Sequence, residues 1–232
     1  MNLKNLFSAF KPSFDPVPIT EKIRAGLAAT AGIFLMGSVL RLLPQAGYPL
    51  IMFTSAGAAA VLLYAAPHSP MAQPWALVAG NLLSGMVGWA CSLIIPDPVL
   101  AASCAVGLAI LLMHLSHCLH PPGAATALVM VFGAEQFHHH GWSWAASAVL
   151  ANTLLSLVLA LVINNLTPGR RYPMPNTLIL QGPQVAGKPA ELKQQDIEWA
   201  LMQMDGVIDV SEQDLLDIYR LASGHATKRT IA

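Results

Sequence analysis

The tetrapeptide His120-Pro121-Pro122-Gly123, near the far end of a long apolar run, has residue types that could form a binding site. Proline breaks the interior of a helix and disfavours helical geometry in the preceding residue, but it is well tolerated in the first turn. The motif therefore predicts that one helix ends near Leu119 and another begins at the prolines. A helix that begins inside an apolar domain presents N–H groups and a positive dipole end, which bind an anion without lysine or arginine. The alternative is a plain kink or loop.

A second stretch, residues 53–57, echoes this element and predicts another helix start. In an inverted arrangement the two starts would face one site near the membrane midplane, where backbone amides and short polar side chains would hold the anion. Each small polar side chain has an alternative role as a hydrogen-bonding contact between helices. The predicted site comprises Thr54, Ser55, Ala56, Gly57, Asn81, His120, Gly123, Ala124, Ala125, Thr126 and Asn152.

Histidines recur at every third residue, at His114, His117 and His120. On a helix, His114 and His117 would lie close together on neighbouring faces. Because imidazole titrates near physiological pH, His117 or His120 is predicted to gate transport or couple it to protons. A metal site is the alternative, but it lacks obvious Cys, Asp or Glu co-ligands, so neither a metal nor another cofactor is predicted. The run of histidines at 138–140 is predicted to lie in a solvated loop.

Charge is almost absent from the middle of the chain. Residues 42–169 contain no lysine or arginine and only two acidic residues, Asp97 and Glu135. A water-soluble domain carries charge on its outer face, so this stretch is predicted to lie in a lipid bilayer. The formal net charge of zero gives no indication of a nucleic-acid partner. No nucleophile–base pair, phosphate loop or paired carboxylates are found, so no catalytic residues are predicted.

Six hydrophobic segments follow one another, and the chain is predicted to be an all-α, polytopic membrane helix bundle. The segments are Lys22–Leu43, Pro49–Ala66, Gln73–Ile95, Val99–Leu119, Pro121–Ala134 and Trp142–Leu166. Lysine and arginine flank the first and last segments, which places both termini in the cytoplasm and requires an even number of crossings. The predicted regions are an interfacial segment over residues 1–21, a transmembrane domain over 22–168 and a cytoplasmic tail over 169–232.

A weak internal repeat divides the segments into three plus three. Ser55-Ala56-Gly57 echoes Pro121-Pro122-Gly123, and Asn81-Leu-Leu-Ser84 echoes Asn152-Thr-Leu-Leu-Ser156. The second and fifth segments are predicted to be short or broken; the fifth has only about 14 residues, or about 21 Å of helix, which is too short for a straight span. If both cross fully the halves are inverted; if both are re-entrant the halves are parallel. Residues 175–232 are predicted to form a soluble helical hairpin that docks on the membrane domain or on a second subunit.

These elements resemble the HPP family of integral membrane proteins. The matching stretches are Ala66–Pro74, His120–Leu128 and Asn164–Leu166 followed by Arg170–Pro173, and the resemblance spans roughly residues 20–175. It implies a bacterial-type protein of the inner (plasma) membrane. The family includes members implicated in nitrite transport in chloroplasts and cyanobacteria, so the resemblance implies nitrite as substrate. The residues by themselves indicate only a small inorganic anion.

The leading hypothesis is therefore a membrane transporter or channel for a small monovalent anion, with nitrite as the first candidate substrate. A homo-oligomer is predicted from the Ala- and Gly-rich helix faces. One alternative is a non-transporting membrane sensor or scaffold that signals through its C-terminal hairpin. The other is an intramembrane metal-dependent enzyme that uses His114, His117 and His120.

Overall fold

The computed structural model of the protein describes residues 17–42 and 52–173, together with residue 219. Residues 20–173 belong to one compact unit; a second unit, made mainly of the terminal regions, lies almost wholly outside the described residues. All regular structure in residues 17–42 and 52–173 is helical, which confirms the all-α prediction. The predicted interfacial segment and C-terminal hairpin lie outside the described residues. The helices are α1 (Ile19–Leu42), α2 (Ser55–Ala65), α3 (Pro74–Ile94), α4 (Pro98–Leu115), α5 (Pro121–Phe132), α6 (Ala134–His140) and α7 (Trp142–Leu166), with a 3-10 turn at Pro70–Ala72.

Four of these helices, α1, α3, α4 and α7, are long and apolar enough to cross a membrane. They have 24, 21, 18 and 25 residues. A bilayer core about 30 Å thick needs about 20 residues of helix, so each has suitable dimensions. Large apolar side chains such as Phe34, Leu111 and Val158 are exposed on their outer faces. This combination of length and apolar exposure is that of an integral membrane protein.

Two helices are only about half as long as a membrane span. Helix α2 has 11 residues and α5 has 12, which correspond to about 16–18 Å. Helix α5 begins where the sequence requires it, because Pro121 and Pro122 occupy its first two positions and His120 before them is extended. Helix α2 begins after Thr54, whose side chain makes no capping hydrogen bond.

Pairwise contacts give the directions of the helices. Gly123 lies beside Gly80 and Ser84, and Ala127 lies beside Gly88, so α5 runs parallel to α3. In the same way, Phe53 bonds to Asn152 and Leu63 bonds to Asn164, so α2 runs parallel to α7. Met36 contacts Ser156 and Glu21 contacts Arg170, so α1 runs antiparallel to α7. We refer to α1–α3 as the first half and to α4–α7 as the second half.

Helix α4 ends at Leu115, four residues before the predicted end. His117 has φ of +52°, and the Cys118 N–H donates to the Met113 carbonyl at 2.9 Å. This is a Schellman-type helix end, in which a left-handed residue, usually glycine, turns the chain away. The predicted helical stripe of His114, His117 and His120 is therefore wrong, because only His114 belongs to α4.

The three histidines at 138–140 lie on helix α6, so the prediction of a solvated loop is wrong. The Gly133 N–H bonds to the Val129 carbonyl and the Phe137 N–H bonds to the Gly133 carbonyl, so helical turns continue almost unbroken from α5. The His138 ring packs edge-on against Trp89 and lies 2.9 Å from the Ser92 hydroxyl. Aromatic and hydroxyl partners on α3 therefore accommodate His138, whereas His139 is exposed.

Candidate functional site

Helix α5 begins inside the bundle, against the middle of α3. A Cβ added to Gly123 would lie 2.7 Å from Ser84 Oγ and 3.1 Å from the Gly80 carbonyl oxygen. Gly80 and Ser84 stand near the centre of the 21-residue helix α3. Real Cβ atoms essentially never come closer than 3.0 Å to such neighbours. Glycine at position 123 is therefore what permits this close approach.

His120 occupies the N-cap position of α5, without a capping hydrogen bond from its side chain, and is completely buried. Its Nδ1 lies 2.8 Å from the Met71 carbonyl oxygen. A carbonyl oxygen can only accept, so Nδ1 carries the hydrogen and the neutral ring has its lone pair at Nε2. Nε2 is buried and has no hydrogen-bond partner among the described residues. Such an unmatched polar atom costs about 1–3 kcal/mol, and a ligand hydrogen or a proton would satisfy it.

Helix α2 begins beside the middle of α7. The Phe53 N–H donates to Asn152 Oδ1 at 2.9 Å, and Asn152 Nδ2 donates to the Ala148 carbonyl one turn earlier. Asn152 stands near the centre of the 25-residue helix α7. Both half-length helices therefore start at mid-height of a long neighbour, α5 on α3 and α2 on α7.

A buried cluster of hydroxyl and amide groups connects the two starts. Thr126 Oγ1 lies 2.6 Å from Asn81 Oδ1 and 2.9 Å from Ser55 Oγ. Because an amide oxygen only accepts, Thr126 donates to Asn81 and Ser55 donates to Thr126. Asn81 Nδ2 in turn donates to the Leu77 carbonyl of its own helix. The three predicted site residues Ser55, Asn81 and Thr126 thus form one ordered chain of hydrogen bonds from α2 to α5 to α3.

The backbone amides expected to bind the anion are mostly occupied. Pro121 and Pro122 have no N–H, and the Gly123 N–H donates to the His120 carbonyl at 2.8 Å. In α2 the Ala56 and Gly57 N–H groups donate to the carbonyls of Phe53 and Thr54. An anion at these starts would therefore interact mainly with the dipole ends, with the hydroxyls and with His120.

The remaining predicted residues lie in different surroundings. Thr54, Gly57 and His117 are exposed, while Ala124 and Ala125 are half-buried. A Cβ at Gly57 would meet nothing within 4 Å, in contrast to Gly123. In residues 17–42 and 52–173 no three His, Cys, Asp or Glu side chains are grouped so that they could hold a metal ion.

Two methionine–serine contacts extend the site, and sequence reasoning did not assign them. Ser84 Oγ lies 3.6 Å from Met113 Sδ, between α3 and α4. Ser156 Oγ lies 3.8 Å from Met36 Sδ, between α7 and α1. The two serines belong to the echoed Asn–Ser segments, which was the available signal, whereas nothing in the sequence distinguished the two methionines.

A small cleft lies beside α2, between α1, α2 and α7. Its volume of about 10 Å³ is barely enough for one water molecule. Its polar groups come from Tyr64 and Ser156, and the rest of its surface is apolar. The lining residues are Gly32, Ile33, Met36, Ala56, Ala60, Leu63, Tyr64, Ser156 and Leu159.

Long apolar helices with two half-length helices between them define an integral membrane protein of the helical class. Within that class the chain belongs to the HPP family, because the family model described as "HPP, transmembrane region" matches residues 15–173. The chain is 35% identical over 169 residues to a transmembrane protein of Dictyostelium discoideum, covering 71% of this chain and 59% of the relative. It is 38% identical over 129 residues to a second transmembrane protein of that organism, covering 54% of this chain and 41% of the relative. The chain thus spans less than two thirds of either relative, and no solved structure matches it.

Proposed function

We propose that the protein is a transporter or channel for a small monovalent anion, with nitrite as the first candidate substrate. The observation that carries this proposal is the pair of half-length helices, α2 and α5, whose starts are joined by the buried cluster Ser55–Thr126–Asn81. Broken helices whose positive ends meet inside the bundle are a common way to bind an anionic group in transporters. Nitrite itself is suggested only by resemblance to members of the HPP family.

The helix directions favour an inverted three-plus-three arrangement. Helix α3 runs antiparallel to α4, since Trp75 bonds to Ser116 and Ser84 contacts Met113. It also runs antiparallel to α7, since Leu77 shares a core cluster with Ala160 and Gly85 lies beside Val149. Helices α1, α2 and α3 therefore alternate in direction, as do α4, α5 and α7, and the second set runs opposite to the first. Corresponding residues also make corresponding contacts. Asn81 and Asn152 each donate to the carbonyl four residues earlier and each accept from the half-length helix of the other half. Under this proposal the substrate site lies near the midplane, between the repeats.

His120 is proposed to couple transport to protons or to gate it. Its buried, unmatched Nε2 could take up a proton or accept a hydrogen bond from the substrate in its acid form. The membrane is proposed to be the inner membrane, with both termini cytoplasmic, because the lysines and arginines flank the hydrophobic region. A homo-oligomer is also proposed, because Ala- and Gly-rich helix faces allow helices of neighbouring subunits to pack closely.

The test is uptake of nitrite into proteoliposomes, compared with vesicles that lack the protein. Thr126→Val preserves the shape of the side chain but removes the central hydroxyl of the cluster. We expect uptake to fall by about 10-fold or more, because one buried hydrogen bond to an unpaired partner contributes about 1–3 kcal/mol.

Thr30→Val is the matched control, because the Thr30 hydroxyl bonds only to the Gly26 carbonyl of its own helix on an exposed face. It is expected to leave uptake unchanged. Absence of nitrite, nitrate or formate uptake above background in the unmodified protein would refute the proposed function.

A further inference from the structure

Arg170 follows the last helix, yet its side chain is buried, with only 5% of its surface exposed. Its Nε donates to Glu21 Oε1 at 2.8 Å, its NH2 group donates to the same oxygen, and its NH1 group donates to Asn164 Oδ1 at 3.2 Å. The guanidinium therefore holds a carboxylate oxygen between two of its nitrogens. This buried positive charge lies next to a region without lysine or arginine. It does not belong to the site between α2 and α5.

The surroundings of Arg170 join it to the cleft beside α2. Asn164, which accepts from Arg170, also donates through Nδ2 to the Leu63 carbonyl at 3.0 Å. Leu63 is one of the residues that line the cleft. One asparagine side chain thus separates the guanidinium from the wall of the cleft.

The chemistry of this contact matches the proposed substrate class. A carboxylate and a small planar oxyanion such as nitrite both present two oxygens on one central atom. A guanidinium is permanently charged and binds such groups through parallel N–H donors. The Glu21 carboxylate is thus a tethered analogue of the anion.

Glu21 also has a second cation within reach. Its other oxygen, Oε2, lies 3.6 Å from the NH1 group of Arg24, whose side chain is about half exposed. If Glu21 left Arg170, it would remain next to a positive charge at the surface. Release of Arg170 would therefore not leave the carboxylate without a partner, and an incoming anion would take its place on the buried guanidinium.

From this geometry we infer that Arg170 is an anion-binding residue at the end of the bundle where α1 begins and α7 ends, and that the Glu21 carboxylate occupies it until a small planar oxyanion displaces it. This inference rests on the proposed anion transport. It adds a second site, outside the α2–α5 cluster, and makes the Glu21–Arg170 contact a gate that the substrate itself opens.

Glu21→Gln tests the inference through a gain that misfolding cannot imitate. The variant keeps the shape of the side chain but removes the competing charge. We expect nitrite to bind about 10-fold more tightly, measured by the nitrite-dependent rise in melting temperature of the full-length protein in detergent. Unchanged or weaker nitrite binding in a folded Glu21→Gln protein would overturn the inference.

Arg170→Lys and the exchanged pair Glu21→Arg with Arg170→Glu separate binding from structure. Lysine keeps the charge but loses the forked donors, so nitrite binding should weaken by about 10-fold.

The exchanged pair restores an ion pair between positions 21 and 170, but it does not restore the hydrogen bond from Arg170 to Asn164. We therefore expect its melting temperature to return toward that of the unmodified protein from the lower values of the single variants Glu21→Arg and Arg170→Glu, while its nitrite uptake stays low. Full recovery of uptake would show that the pair serves only to hold α1 to α7. If the unmodified protein takes up nitrite while Arg170→Lys behaves identically, this inference fails and the proposed function stands.

Discussion

The two half-length helices begin in similar places but under different constraints. Helix α5 starts at two prolines, and Gly123 is pressed against Ser84 and Met113. Helix α2 starts without proline, and Gly57 faces open space. A cleft lies beside α2, bordered by Met36 and Ser156, whereas the corresponding contact of Met113 with Ser84 is closely packed. The comparison teaches that the first turn of α5 is fixed by close contacts, whereas the first turn of α2 is held by fewer of them.

The largest difference is expected between leucine substitutions at the two glycines. Gly123→Leu must place a side chain where even its Cβ would lie 2.7 Å from Ser84 Oγ, so we expect destabilisation of about 3 kcal/mol or more. A Cβ at Gly57 would meet nothing within 4 Å on an exposed face, so we expect Gly57→Leu to change stability by less than about 0.5 kcal/mol. Thermal unfolding in detergent measures both. Equal losses for both variants would contradict a difference between the two helix starts.

An intermediate difference is expected between Gly80→Ala and Gly32→Ala, which lie on α3 and α1. A Cβ at Gly80 would lie 2.8 Å from the Cys118 carbonyl oxygen, which is backbone and cannot move alone. A Cβ at Gly32 would meet the hydroxyl end of the Tyr64 ring, which is the far end of a side chain and shifts more readily than backbone. We expect losses of about 2 kcal/mol for Gly80→Ala and under about 1 kcal/mol for Gly32→Ala. Chemical unfolding measures the loss of stability in the two variants. A greater loss for Gly32→Ala than for Gly80→Ala would contradict the tighter packing around the start of α5.

The smallest change in stability is expected at the residues that precede the two helices. His120→Gln can still donate to the Met71 carbonyl, so folding should be retained while the titratable ring is lost. If His120 carries the coupled proton, the dependence of nitrite uptake on pH should flatten. Thr54→Val, at the exposed and corresponding position before α2, should leave that dependence unchanged. An unaltered pH profile in folded His120→Gln would remove His120 from proton coupling.

Local chemistry made part of this arrangement predictable from sequence. The start of α5 follows from Pro121 and Pro122, and the helical architecture follows from long apolar segments without charge. Membership of the HPP family is likewise confirmed. Ser55, Asn81 and Thr126 are joined by hydrogen bonds between helices, and their role in binding stays a prediction. Small polar residues in an apolar segment need partners, and in a helix bundle those partners lie on other helices.

The features that escaped prediction depend on tertiary contacts or on unusual backbone. The early end of α4 depends on His117 in a left-handed conformation that glycine ordinarily supplies. Helix α6 depends on Trp89 and Ser92 of α3 to accommodate His138. The bond between Glu21 and Arg170 joins residues 149 positions apart, which no local pattern can indicate.

The prolines at the start of α5 also reduce the number of backbone N–H groups that lack a hydrogen-bond acceptor there. The first four N–H groups of any helix have no acceptor within it, and hydrocarbon supplies none, so each exposed one costs several kcal/mol. Pro121 and Pro122 delete two of these donors outright, and Gly123 turns a third back onto His120. A helix can thus begin at membrane depth with few N–H groups left unbonded, although hydrocarbon ordinarily favours helices that continue across the whole membrane.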